Sequence, residues 1–142
     1  MKIYVKKIVS YLFAFAIVFT AFGIAADAQE MMKKEMAKDA RPTVAIIRAG
    51  WCPACRKLEP TMAKLMKEYG GKLNFVVMDV TDDKTSAEAL KIARNNGLEE
   101  FFNQHKTKTS TVAIFKDEKQ LFKTDHNYER ANYVKEFDKA LK

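Results

Sequence analysis

The chain has 142 residues, 48% hydrophobic and 30% charged, with only five Gly and three Pro and a formal net charge of +7. That length and composition suit one domain with a real core and exclude a largely disordered chain. The charge is mixed in sign along candidate helices, as in Lys64, Lys67 and Glu68, with no Lys/Arg block and no aromatic-basic interleaving, so a solvated surface is expected and a nucleic-acid partner is not.

Taken in chain order, Lys2, Lys6 and Lys7 form a positive start, and Ile8 to Ala26 then carries no charge. Ala26-Asp27-Ala28 is a small-x-small pattern, so residues 1–28 read as a secretory signal peptide. The apolar run is also about as long as a membrane span, which makes an uncleaved anchor and membrane tether the alternative. Either reading sends the remainder out of the cytoplasm, to the periplasm or cell envelope of a bacterium. Loss of residues 1–28 removes three Lys and one Asp and brings the net charge from +7 to +5. Residues 29–41, "QEMMKKEMAKDAR", read as a polar tether. Met31, Met32 and Met36 within it form either an amphipathic face or soft ligands for Cu(I).

The folded domain is expected over 42–142. Thr43 to Ile47 is a short apolar, β-rich run that reads as a buried strand. From Pro53 to Tyr69 the period becomes helical, with Leu58, Met62, Leu65, Met66 and Tyr69 on one face and Pro60 expected to kink the helix. Leu73 to Val80 reads as a second strand. Thr81-Asp82-Asp83 offers caps for a helix over Ser86 to Asn95, and Leu98 to His105 reads as a further short helix. Thr111 to Phe115 is a strand, and Gln120 to Lys123 pairs back on it as a hairpin. Tyr128 to Leu141 closes the chain as an amphipathic helix, with Tyr133, Val134, Phe137 and Leu141 facing inward. The order β-α-β-α-α-β-β-α predicts an α/β fold, a mixed sheet with helices on both faces.

The two cysteines of the chain lie in "GWCPACRK", Gly50 to Lys57, at the junction of the first strand and the first helix. A helix start offers free amide donors and the positive end of the helix dipole. A thiolate on Cys52 is stabilised there, and Cys55 comes one turn later, within reach. Pro53 fits the first helical turn, where its missing donor costs nothing. Arg56 and Lys57 add positive charge. Three readings compete. A structural staple across so short a loop stabilises weakly. A zinc site wants four ligands, and neither His105 nor His126 is spaced to complete the set, so no metal site is expected and the histidines read as surface residues. Disulfide exchange suits the placement best. Cu(I) handling by the two thiolates and the tether methionines is the alternative, and a domain that only docks partners is a third option.

The segment resembles the thioredoxin-fold family. "WCPAC" is similar to the family's Trp-Cys-x-x-Cys, and Pro60, five residues after the second cysteine, to the proline of its active-site helix. "KLNFVVMDV" resembles the strand that follows, and "STVAIFKDEKQLF" the family's hairpin; the likeness covers about 41–142. The resemblance implies a thioredoxin-like three-layer fold and an exported protein-disulfide oxidoreductase that needs no cofactor. Cys52 would attack the substrate and Cys55 would resolve the mixed disulfide, with Trp51, Pro53, Thr109 and Ser110 lining the docking surface. The implied partners are protein thiols and disulfides and an electron donor in the membrane or periplasm, because no third cysteine provides an internal relay. With no histidine between the cysteines, reduction is the expected direction rather than oxidation.

Three departures from the family pattern stand out. Ser110, preceded by Thr109, falls at the family's cis-proline, so the peptide between them is expected trans. Ile46 falls where thioredoxins place a buried acidic residue below the resolving cysteine, and no carboxylate nearby in sequence obviously takes its place. The stretch from Thr81 to Lys108 is longer than in thioredoxin and adds about one helix before the hairpin.

Overall fold

The computed structural model of the protein describes residues 41–142. The segment read as a signal peptide and the tether with Met31, Met32 and Met36 lie outside the described residues. Four strands form one mixed sheet: β1 (Thr43–Arg48), β2 (Asn74–Asp79), β3 (Thr111–Lys116) and β4 (Lys119–Asp125), in the order β2-β1-β3-β4. β1 pairs parallel with β2, Ile46 opposite Val77, and antiparallel with β3, Ile47 opposite Thr111. Four helices accompany them: α1 (Pro53–Tyr69), α2 (Asp83–Asn95), α3 (Glu99–His105) and α4 (Arg130–Ala140). The order and the α/β class are those read from the sequence. Among the described residues no helix is long and apolar enough to cross a membrane.

Alternation along β1 builds two cores at once, because successive side chains leave opposite faces of a strand. Val44 and Ile46 join Leu58, Leu65, Tyr133 and Phe137 beneath α1 and α4. Ala45 and Ile47 join Met78, Ala89, Ala93 and Phe102 beneath α2 and α3. Phe137 is fully buried and meets Tyr69 edge-on, ring centroids 5.3 Å apart. Burying a side chain of this size contributes roughly 1.5–3 kcal/mol.

The element ends show what side-chain period alone leaves open. β1 runs one residue beyond Ile47, to Arg48, whereas β2 is shorter than Leu73–Val80. α2 starts at Asp83 rather than Ser86, because Asp82 and Thr85 form a capping box that secures the first turn. α2 ends before Gly97, whose φ of +67° is the left-handed conformation glycine tolerates. α1 ends at Tyr69 with Gly70 as its cap, the Gly70 amide donating to the Met66 carbonyl, and a Cβ there would sit 2.6 Å from that oxygen. α4 spans Arg130–Ala140, inside the expected Tyr128–Leu141.

β4 extends through Asp125 rather than stopping at Lys123. The hairpin loop is only Asp117-Glu118, with φ of 50° and 63°, a type I′ turn whose twist matches the strands.

Candidate active site

β1 ends at Arg48 and hands the chain to a tight turn, where the Cys52 amide donates to the Ala49 carbonyl at 3.1 Å. Cys52 is then the N-cap of α1, with Pro53 in the first turn. Its sulfur accepts the Cys55 amide at 3.1 Å. Both cysteines are free and buried, 3% and 5% exposed. Their sulfurs lie 2.6 Å apart, the Cys55 thiol donating to Cys52.

The two sulfurs are shifted in opposite directions. Burial pushes the Cys52 thiol up, but hydrogen bonds from the Cys55 thiol, the Thr109 hydroxyl and the amides of Cys55 and Ala54 outweigh it and leave Cys52 below the ordinary cysteine value. Burial likewise raises Cys55, and there the thiol's donation to Cys52 and the charge on Cys52 add to the effect. Arg56 and Lys57, expected to lend positive charge, serve elsewhere. Arg56 donates to the Gly50 carbonyl at 3.1 Å, and Lys57 lies over the Tyr128 ring, 4.6 Å from its centroid. Amides and hydroxyls, rather than cationic side chains, favour the thiolate.

Two further segments converge on the cysteines. Thr81, after β2, accepts the Gly50 amide on its hydroxyl at 2.7 Å and the Trp51 indole on its carbonyl at 3.0 Å. Trp51 is thus pinned at one edge and 61% exposed. Ahead of β3, Thr109 lies near the two sulfurs and favours their charged forms, and the Ser110 amide donates to the Ile47 carbonyl at 2.8 Å. The Thr109–Ser110 peptide is trans, as the sequence leads one to expect, and Ser110 takes the left-handed conformation with φ of 68°. Sequence reasoning missed that conformation, since nothing in a serine announces a positive φ. The structure therefore brings Trp51, Cys52, Pro53, Cys55, Thr109 and Ser110 to one end of the sheet.

Ile46 lies at the buried acidic position, 5% exposed, and lines a cavity of about 220 Å³ beside Cys55. Glu59 lines the same cavity. The sequence signal was its spacing, four residues after Cys55 and so on the same helix face. The histidines are not part of this site. His105 is half-buried rather than on the surface, stacked on Phe101 at 4.7 Å, whereas His126 is exposed. Among the described residues no group of three or more His, Cys, Asp or Glu could hold a metal ion.

A dithiol at the head of a helix, at the end of the central strand of this sheet, defines a thioredoxin-fold dithiol protein. The thioredoxin family model matches residues 23–127, and the chain belongs to that family. It is 34% identical over 82 residues to a thiol:disulfide interchange protein, the TxlA homolog of Synechocystis sp., covering 56% of this chain and 45% of that protein. It is 36% identical over 55 residues to the chloroplastic thioredoxin-like protein HCF164 of Arabidopsis thaliana, covering 39% of this chain and 21% of that protein. The chain thus spans less than half the length of these relatives. Among solved structures, Fasciola hepatica thioredoxin superposes with a TM-score of 0.52 at 21% identity, over 82% of this chain and 93% of that one.

Proposed function

We propose that the protein is a thiol-disulfide oxidoreductase acting on protein disulfides. The observation that carries this is the asymmetry of the pair: Cys52 is the N-cap of α1, its sulfur accepts the Cys55 amide and thiol, and it is shifted towards the thiolate while Cys55 is shifted away from it. The kinship with a thiol:disulfide interchange protein supports the same reading. Cys52 attacks one sulfur of a substrate disulfide and releases the other as a thiolate. Cys55 then loses its proton and attacks Cys52, forming the Cys52–Cys55 disulfide and releasing the second substrate thiolate. Trp51, Pro53, Thr109 and Ser110 form the rim on which a substrate would dock.

The direction we favour is reduction of substrates, with a membrane or periplasmic partner returning the electrons. The chain's start, read as a signal peptide or anchor, supports a site of action outside the cytoplasm, in the periplasm or envelope. The deciding experiment is a redox titration of Cys52–Cys55 in glutathione buffers. A potential of about −250 mV or lower supports the reductase, and one near about −120 mV reverses the direction. If no disulfide forms across that range, exchange is excluded, and Cu(I) binding by the two thiolates with Met31, Met32 and Met36 becomes the reading to test.

A further inference from the structure

The cavity beside Cys55 is walled largely by apolar side chains, among them Ile46, Met62 and Val77. Buried Cys55 and Ser110 line it, and so do Glu59, with a side chain 61% exposed, and Arg48, 34% exposed. It therefore runs from the surface to the resolving sulfur.

Two observations give it a chemistry. The first is Ser110, 1% exposed, whose hydroxyl has no hydrogen-bond partner among the described residues. A buried hydroxyl without a partner is costly, and water is the usual remedy where there is room. At about 220 Å³ the cavity has ample room for water against Ser110 and Cys55. The second is Glu59, one turn along α1 from Cys55. Arg48 bridges outward from β1, with Nη2 3.9 Å from Glu59 and Nη1 3.2 Å from Asp79 on β2. Arg48 and Glu59 thus stand together in the lining of the cavity. The other groups facing Cys55 are Cys52 at the head of α1 and the Thr109 hydroxyl from the loop before β3. Neither is a carboxylate, and Ile46 and Val77 cannot take a proton.

We propose that Glu59, paired with Arg48, accepts the Cys55 proton through water in this cavity. The inference rests on the exchange reading above. In the resolving step the Cys55 S–H bond breaks, and its proton passes to a cavity water as that water gives one to the Glu59 carboxylate. The electron pair left on Cys55 attacks the Cys52 sulfur. The bond from Cys52 to the substrate sulfur breaks, and the substrate departs as a thiolate with the bonding pair. In the opposite direction Glu59 returns the proton as the Cys52–Cys55 bond is cleaved. Glu59 touches neither sulfur, so it is a positioning residue whose signature lies in pH dependence.

The test uses the reduced full chain and 5,5′-dithiobis(2-nitrobenzoate). Attack by Cys52 releases one coloured thiolate at a rate that scales with reagent. Attack by Cys55 releases the second at a rate that does not, and the first release serves as the internal reference. The expected result is that Glu59→Gln slows the second release about tenfold or more near neutral pH. The deficit should close in strong alkali, where hydroxide removes the proton directly, and Glu59→Asp should recover part of the rate. Superimposable pH profiles for the second release overturn the proposal. So does an equal slowing of both releases, which marks a general structural effect. If the unaltered chain releases one equivalent or none, the exchange reading falls and this proposal falls with it.

Discussion

The Trp51 indole and the Thr81 backbone are joined across two loops, Nε1 donating to the carbonyl at 3.0 Å. The same threonine accepts the Gly50 amide on its hydroxyl, and its own amide donates to Asp79 at 2.9 Å. One residue after β2 therefore sets the position of the loop that carries the cysteines. Thr81→Val removes the hydroxyl and leaves the Gly50 amide to water. The expected loss is about 1 kcal/mol, read as a lower melting temperature. The Trp51 indole donates to the Thr81 backbone carbonyl, which the substitution keeps, so the emission of the chain's single tryptophan should change little.

The sulfurs should titrate in a fixed order. Cys52 lies below the ordinary cysteine value and Cys55 above it. With rising pH Cys52 therefore becomes thiolate first, and alkylation of the reduced protein should modify Cys52 in a range where Cys55 stays inert. Thr109→Val removes a donor to both sulfurs, so the Cys52 midpoint should move to higher pH. Mass mapping of iodoacetamide adducts across a pH series checks both statements. Equal labelling of the two cysteines at every pH would contradict them.

The hairpin loop holds two residues in the left-handed region without a glycine. Asn-Gly is the sequence such a turn favours. Replacing Asp117-Glu118 by Asn-Gly should raise stability by about 1 kcal/mol, since a side chain in that conformation costs roughly this much. Denaturant melts compare the two chains, with a higher midpoint and an unchanged slope expected.

Asp125 makes the β3–β4 end sensitive to acid. Its oxygen lies 2.5 Å from the Thr111 hydroxyl, which is also 2.7 Å from the Lys108 carbonyl. Burial raises Asp125, but the Thr111 hydrogen bond and the Lys123 charge outweigh it and hold the carboxyl below the ordinary value. A depressed folded-state value adds stability above the unfolded Asp range of about 3.9, and that stability is lost as pH falls through the folded value. Asp125→Asn should therefore be less stable than the parent near neutrality, and the gap should close in acid below that range. Melting curves across pH measure the gap.

Much of this was legible in the residues. The period of "TVAII" and of Pro53–Tyr69 marks strand and helix because each has a face to bury, and both elements lie where those runs fall. The WCPAC motif announces its chemistry because its parts are local. Less legible were features that depend on distant partners. Glu59 reads as an ordinary solvent-facing helix residue until Arg48 and the cavity stand beside it. The left-handed conformation of Ser110 accompanies a hydrogen bond to Ile47, a partner far away in sequence. The early start of α2 was missed because a capping box follows side-chain chemistry rather than hydrophobic period.

The pairing of Ile47 with Thr111 joins parts of the chain that are far apart in sequence. Cys52 and Cys55 are neighbours within one turn. Thr109 and Ser110 reach them only when β3 docks on β1. Non-local strand pairing is slow compared with helix formation. A newly made chain therefore carries its dithiol uncovered until its later half arrives, and the sulfurs gain their cover in the last stages of folding.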